Sequence, residues 1–146
     1  VPDILDIARA INGTYGELYL EGEWQTNVTA VTVDVEFEWS ELKVCGTRWT
    51  QNKLVGVKGT GTITGFKVTS DMMKRIMPMT DDDNGAVKTE LITKLKDPES
   101  FGIERVRLTN VKFDKIPINW KAGEVIEQEI PFRFEGIDPK DYIEAD

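Results

Sequence analysis

The residues that could do chemistry in this 146-residue chain are nearly all carboxylates. Histidine is absent, which removes the commonest general base, the Ser–His and Cys–His nucleophile pairs and most zinc sites. Cys45 is the single cysteine, so neither an intrachain disulfide nor a thiolate cluster is possible, and a reducing compartment is expected. Nothing beside Cys45 in the sequence activates its thiol. Hydrolysis by carboxylates alone needs two acids flanking one bond, in a cleft that raises one pKa. The densest set, Asp34, Glu36 and Glu38, recurs instead at every second residue, the spacing of one solvated strand face. No catalytic residue is expected.

Three shorter motifs fail on their own terms. GTGTITG (59–65) has the glycines of a phosphate loop, but no Gly-Lys-Ser/Thr follows, and Thr64 breaks the dinucleotide spacing. On a strand, Gly59, Gly61 and Gly65 share one face while Thr60, Thr62 and Thr64 share the other. Such a face leaves a groove that a helix or another backbone can approach closely. DDDNG (81–85) resembles the start of a calcium loop, yet with Gly85 at the sixth position the first ligand becomes Thr80 and the twelfth Leu91. A solvated turn is the expected reading. Asn12-Gly13-Thr14 and Asn27-Val28-Thr29 match a glycosylation acceptor too short to carry weight. No metal and no cofactor is expected.

The elements that position these residues are mostly strands. In TAVTVDVEFEW (29–39), Val31, Val33, Val35, Phe37 and Trp39 point one way, and Thr32, Asp34, Glu36 and Glu38 the other. Further strands are predicted at 15–21, 58–68, 87–96, 103–113 and 124–135; in the last, Ile126, Ile130, Phe132 and Phe134 oppose Glu127, Glu129, Arg133 and Glu135. One helix is predicted, capped by Ser70 or Asp71, with a stripe of Met72, Met73, Ile76 and Met77 and a stop at Pro78. Residues 40–57 hold no sustained alternation and are expected to form an extended loop, long enough to be functional. Residues 1–14 and 136–146 are expected to be arms, the second carrying the turn-prone Asp138-Pro139.

Composition bounds the rest. The length suits one domain with its own core. No apolar run approaches a membrane span, so no membrane anchor is expected. No basic-then-apolar segment opens the chain, so export by the Sec route is not expected, and Val1 reads as a trimmed start. A net charge of −8 opposes tight binding to phosphates, although it suits a surface past which DNA slides.

INGTYGELYLEGE (11–23), GTGTITGFKVTS (59–70), GIERVRLTNVKFD (102–114) and EIPFRFEGID (129–138) occur in an order and spacing that resemble the tail tube proteins of PBSX-like prophages, contractile-tailed phages and their bacteriocin relatives. The resemblance runs over about residues 11–138 and is weakest at 1–10 and 40–57. It implies a mainly β subunit, a tail-tube-type β-sandwich or barrel with one flanking α-helix, similar to type VI secretion tube proteins. It also implies hexameric rings stacked into a tube inside a contractile sheath. The implied partners are further copies of the chain, the tail sheath, tape measure, baseplate and tail terminator proteins, and DNA in transit without tight binding. The implied location is the virion tail, after assembly in the host cytoplasm.

Long alternating strands reach the same picture independently, because their open edges must be paired, and neighbours in a ring can pair them. The polar face then lines a channel. Asp34, Glu36 and Glu38, with Glu127 and Glu129, are the expected lumen residues, the alternatives being a solvated face in a monomer and an outer wall that meets the sheath in a ring. Arg48, Trp49 and Lys53 are expected at a ring-to-ring contact, and Gly59, Gly61 and Gly65 in a closely packed face. The alternatives are the tube subunit of a related secretion machine and a monomeric ligand-binding β domain.

Overall fold

The computed structural model describes residues 7–144. Eight strands and one short helix follow in chain order: β1 (Gly16–Leu20), β2 (Glu23–Trp24), β3 (Val28–Leu42), β4 (Gln51–Phe66), α1 (Asp71–Ile76), β5 (Thr89–Lys96), β6 (Ile103–Phe113), β7 (Glu127–Phe134) and β8 (Gly136–Asp141). All pairings are antiparallel, in the order β2-β1-β5-β6-β7-β4-β3, with β8 also against β6. The sheet is open, and the order ends on β2 at one side and on the long β3 at the other.

The sheet folds over on itself because β6 changes partners along its length. Its first part pairs with β5 and β8, whereas Lys112 and Phe113 pair with β7. The change comes at a bulge, where Thr109 and Asn110 stand opposite Glu90 alone and Asn110 takes φ of 51°. Asparagine tolerates this left-handed conformation better than most side chains. The two halves then enclose one core of Leu18 and Leu20 (β1), Ile63 (β4), Ile76 (α1), Leu91 (β5), Leu108, Val111 and Phe113 (β6), and Ile130, Phe132 and Phe134 (β7). These are the inward members of each alternating strand, and removing their apolar surface from water drives the fold.

Four expectations are corrected. Residues 40–42 and 51–57 belong to strands β3 and β4, so only 43–50 form the tip of a long hairpin and not an extended loop over 40–57. The alternation is hidden because Glu38 pairs with Gly56 and Trp39 with Leu54, which leaves Val55 as an extra, bulged residue. Gly136–Asp141, expected within an arm, forms β8 on β6, held by Arg105–Asp141 at 3.1 Å. Pro139 is tolerated there because an edge strand need not donate outward. Ser70 occupies the helix N-cap but makes no side-chain cap bond; the Asp71 amide instead donates to Thr69 Oγ1. Of the expected N-terminal arm, residues 1–6 lie outside the described residues. Residues 7–14 carry a three-residue turn at Ile7–Arg9 and are tied down by the Asn12 amide, which donates to Asp97 Oδ2 at 2.8 Å, and by Arg9, which sits over the Phe101 ring.

Candidate assembly surfaces

The ribbon of β3 and β4 organises three surfaces. The first is the outward face of β3, β4 and β7. Cross-strand register places Asp34 beside Thr60, Glu36 beside Lys58, Glu38 beside Gly56, Glu129 beside Thr64 and Glu127 beside Phe66. The five acids singled out in the sequence therefore share one face, along about 33 Å of strand between the Gly56 and Phe66 positions. All five are exposed, and among the described residues none of the recorded ion pairs includes them.

Cations stand on this face as well: Arg133, as the sequence places it, and Lys58 and Lys112, which the sequence reading did not weigh. Lys58 lies beside Glu36, Arg133 pairs across from Thr60, and Lys112 pairs across from Arg133. Two of them are engaged locally: Arg133 binds Asp114 at 2.7 Å, and Lys112 binds Glu135. The Lys112 ammonium holds the Glu135 carboxyl below its usual range, chiefly by donating a hydrogen bond to it. Arg133 and Lys112 thus spend their charge on Asp114 and Glu135, while Lys58 stands beside Glu36 with no recorded ion pair among the described residues. Period two within each strand could have placed Lys58 and Lys112, but only register sets them beside β3 and β7.

The second surface is the glycine face of β4, which turns inward. A Cβ at Gly61 would lie 2.5 Å from the Thr32 carbonyl oxygen and 2.9 Å from Phe132 Cε2. One at Gly59 would lie 2.6 Å from Phe134 Cδ2, and one at Gly65 would lie 2.6 Å from the Asn27 carbonyl oxygen. The groove is filled by the rings of β7 lying across Gly59 and Gly61, and by backbone at Gly65.

The third surface is the far half of the ribbon. β7 ends at Phe134, opposite Gly59, so beyond that point β4 has only β3 as a neighbour. Val31, Val33 and Val35 pack on the core, but Phe37 and Trp39, in the same alternation, project past it. With Leu54, Val55 and Val57 they form an apolar stretch in which each side chain is 45–61% exposed. The tip beyond carries Trp49, 80% exposed, together with Arg48, and Lys53 stands in the adjoining strand. A two-stranded ribbon is marginal in water by itself, and an apolar stretch of this kind marks an interaction surface.

Residues 3–141 match the model of a family described as phage tail tube protein. The chain is 36% identical over 137 residues to the phage-like element PBSX protein XkdM of Bacillus subtilis (strain 168), covering 92% of each chain. It is 35% identical over 147 residues to the uncharacterized protein YqbM of the same strain, covering 97% of each. Among solved structures, the tube-terminating cap of the anti-feeding prophage aligns with a TM-score of 0.74 at 14% identity, over 96% of this chain and 97% of that one. The sheath–tube complex of an extracellular contractile injection system (PVC) aligns with a TM-score of 0.71 at 12% identity, over 93% and 96%. At these identities the structural likeness establishes the shared fold.

Proposed function

Because the chain belongs to the phage tail tube protein family, we propose that its copies close into hexameric rings and that the rings stack into the inner tube of a contractile tail. Family membership makes it a structural component of a tail particle, not an enzyme. The observation that carries the finer reading is the overhanging ribbon. One half of β3–β4 is built into the core, and the other extends the same apolar face into solvent. A second copy is the natural cover, and the free edge of β3 offers backbone groups for pairing round a ring.

In that ring the face bearing Asp34, Glu36, Glu38, Glu127 and Glu129 lines the lumen. Acidic walls repel phosphates, so DNA passes without being held. The outer partners are the tail sheath, baseplate and terminator, with the tape measure protein inside the channel during assembly. The fold shared with a sheath–tube complex of an extracellular contractile injection system supports a second reading, the tube subunit of a related contractile secretion machine. Electron microscopy of the native particle separates the two by the presence or absence of a filled head. Among the described residues no helix is long and apolar enough to cross a membrane.

Gel filtration and negative-stain microscopy of the purified chain test the proposal: rings and filaments are expected, and a persistent monomer rejects it. Replacing 43–50 by a two-residue Asn-Gly turn is expected to leave the domain folded and the rings closed while abolishing stacking. Tubes of normal length from this variant would show that the tip is not the ring-to-ring contact.

A further inference from the structure

The overhanging ribbon and one exposed loop lie at opposite ends of the β3–β4 ladder. Past Gly59, where β7 stops, Lys58 to Gln51 carry the ribbon about 25 Å further with β3 alone beside β4. Phe37, Trp39 and Glu41 share one face of that stretch, and Val57 and Leu54 pair with the two aromatics. At the other end Phe66 pairs with Glu127, and residues 114–126 join β6 to β7 there. Two hydrogen bonds tie this loop to the ladder. The Lys67 amide donates to the Ile126 carbonyl oxygen at 2.9 Å, and Gln128 Nε2 donates to the Pro117 carbonyl oxygen at 3.3 Å. Between the two ties Ile118, Trp120 and Val125 stand 62–80% exposed.

We infer that the overhang of one copy lies across this loop of a copy in the next ring, with Phe37 and Trp39 against Ile118 and Trp120. The inference rests on the tube reading above and adds to it the two contacting surfaces and their direction. Because the surfaces lie at opposite ends of one ladder, the contact is heterologous and repeats ring after ring. Charge singles out the loop as the occupant. Glu41 continues the apolar face of the overhang, and Lys115 and Lys121 flank Ile118 and Trp120. Among the described residues neither Glu41 nor Lys115 is in a recorded ion pair. Opposite charges beside an apolar contact fix partner and register. The exposed Phe101, by contrast, has its cation committed: Arg9 sits over that ring and donates to the Glu99 carbonyl oxygen at 2.9 Å. Area agrees. Phe37, Trp39 and Trp120 are each more exposed than buried, and aromatic burial of about 150–250 Å² apiece puts roughly 300 Å² into one contact. Six such contacts at a ring junction pass the roughly 1,600 Å² of a standard stable interface.

Cross-linking reads the contact directly. In a Cys45→Ser background, Glu41→Cys and Lys115→Cys in the same chain leave every aromatic side chain in place. Treating the assembled tubes with a short bis-maleimide should give a covalent ladder that runs past six chains, because each link joins one ring to the next. The Glu41→Cys chain alone should give no ladder. A ladder that stops at six places the contact between neighbours within one ring, and it overturns the inference, as does the absence of cross-links in well-formed tubes. Trp120→Ser tests the loop independently. Its rings, checked for native melting, should need a concentration about tenfold or more above wild type to stack, as expected when an aromatic anchor is lost. Trp120→Phe should recover part of the stacking. Wild-type tube lengths from Trp120→Ser overturn the inference while leaving the tube reading in place. Failure of wild-type protein to form rings overturns that reading and this inference with it.

Discussion

Gly61→Val is expected to destabilise the folded domain by about 3 kcal/mol, the upper part of the range for overpacking a close-packed site. The clash has nowhere to relax. On one side is the Thr32 carbonyl oxygen, fixed in the long β3–β4 ladder, and on the other is Phe132, which is completely buried. The Phe132 ring is itself wedged between Phe113 and Phe134, so displacing it disturbs the centre of the core. A loss of this size corresponds to a fall in melting temperature of roughly 10 °C for a domain of this length. Thr62→Val, one residue along and on the opposite face, is the control and should change little. Equal melting temperatures for Gly61→Val and wild type would mean that the rings do not hold the position described.

Reversing charge at Asp34, Glu36 and Glu38 together, by lysine, is expected to leave rings intact and convert the tube from a conduit into a trap for DNA. The three side chains are exposed and none is in a recorded ion pair among the described residues, so their replacement breaks no such pair. Lysine at position 36 would face Lys58 across the ladder, and that pair of like charges costs at most about 1 kcal/mol. In a ring the new ammonium groups converge on the channel and replace counterions on the phosphates. Retention should therefore fall steeply with salt, by roughly 10³- to 10⁵-fold between 50 and 200 mM if six to ten phosphates are engaged. The triple amide variant (Asp34→Asn, Glu36→Gln, Glu38→Gln), which only neutralises, should retain little. Tubes of the lysine variant that pass DNA as freely as wild type at low salt would remove these residues from the lumen.

Much of the fold was legible because each strand advertises its buried face locally. Val31, Val33 and Val35, the Leu18–Leu20 pair and the Ile130–Phe132–Phe134 series all alternate with polar neighbours, and every one lies on or against the core. The short helix was equally plain from its methionines and Pro78. What stayed hidden is set by contacts distant in sequence. The bulge at Val55 erased the alternation of β4, so the ribbon read as a loop. Whether an inward-pointing residue finds a core beneath it depends on where the neighbouring strand stops; Phe37 and Trp39 look like Val35 in sequence, yet they overhang because β7 ends opposite Gly59. Pro139 read as a turn, although an edge strand can hold it.

The central claim is that copies of this chain form a tube whose lumen is the face bearing Asp34, Glu36 and Glu38. A helical cryo-EM reconstruction of assembled tubes tests it most directly. The account predicts rings of six in which these three side chains point toward the axis and the ribbon tips bridge successive rings. Tubes in which Asp34, Glu36 and Glu38 point outward, toward the sheath, would contradict it.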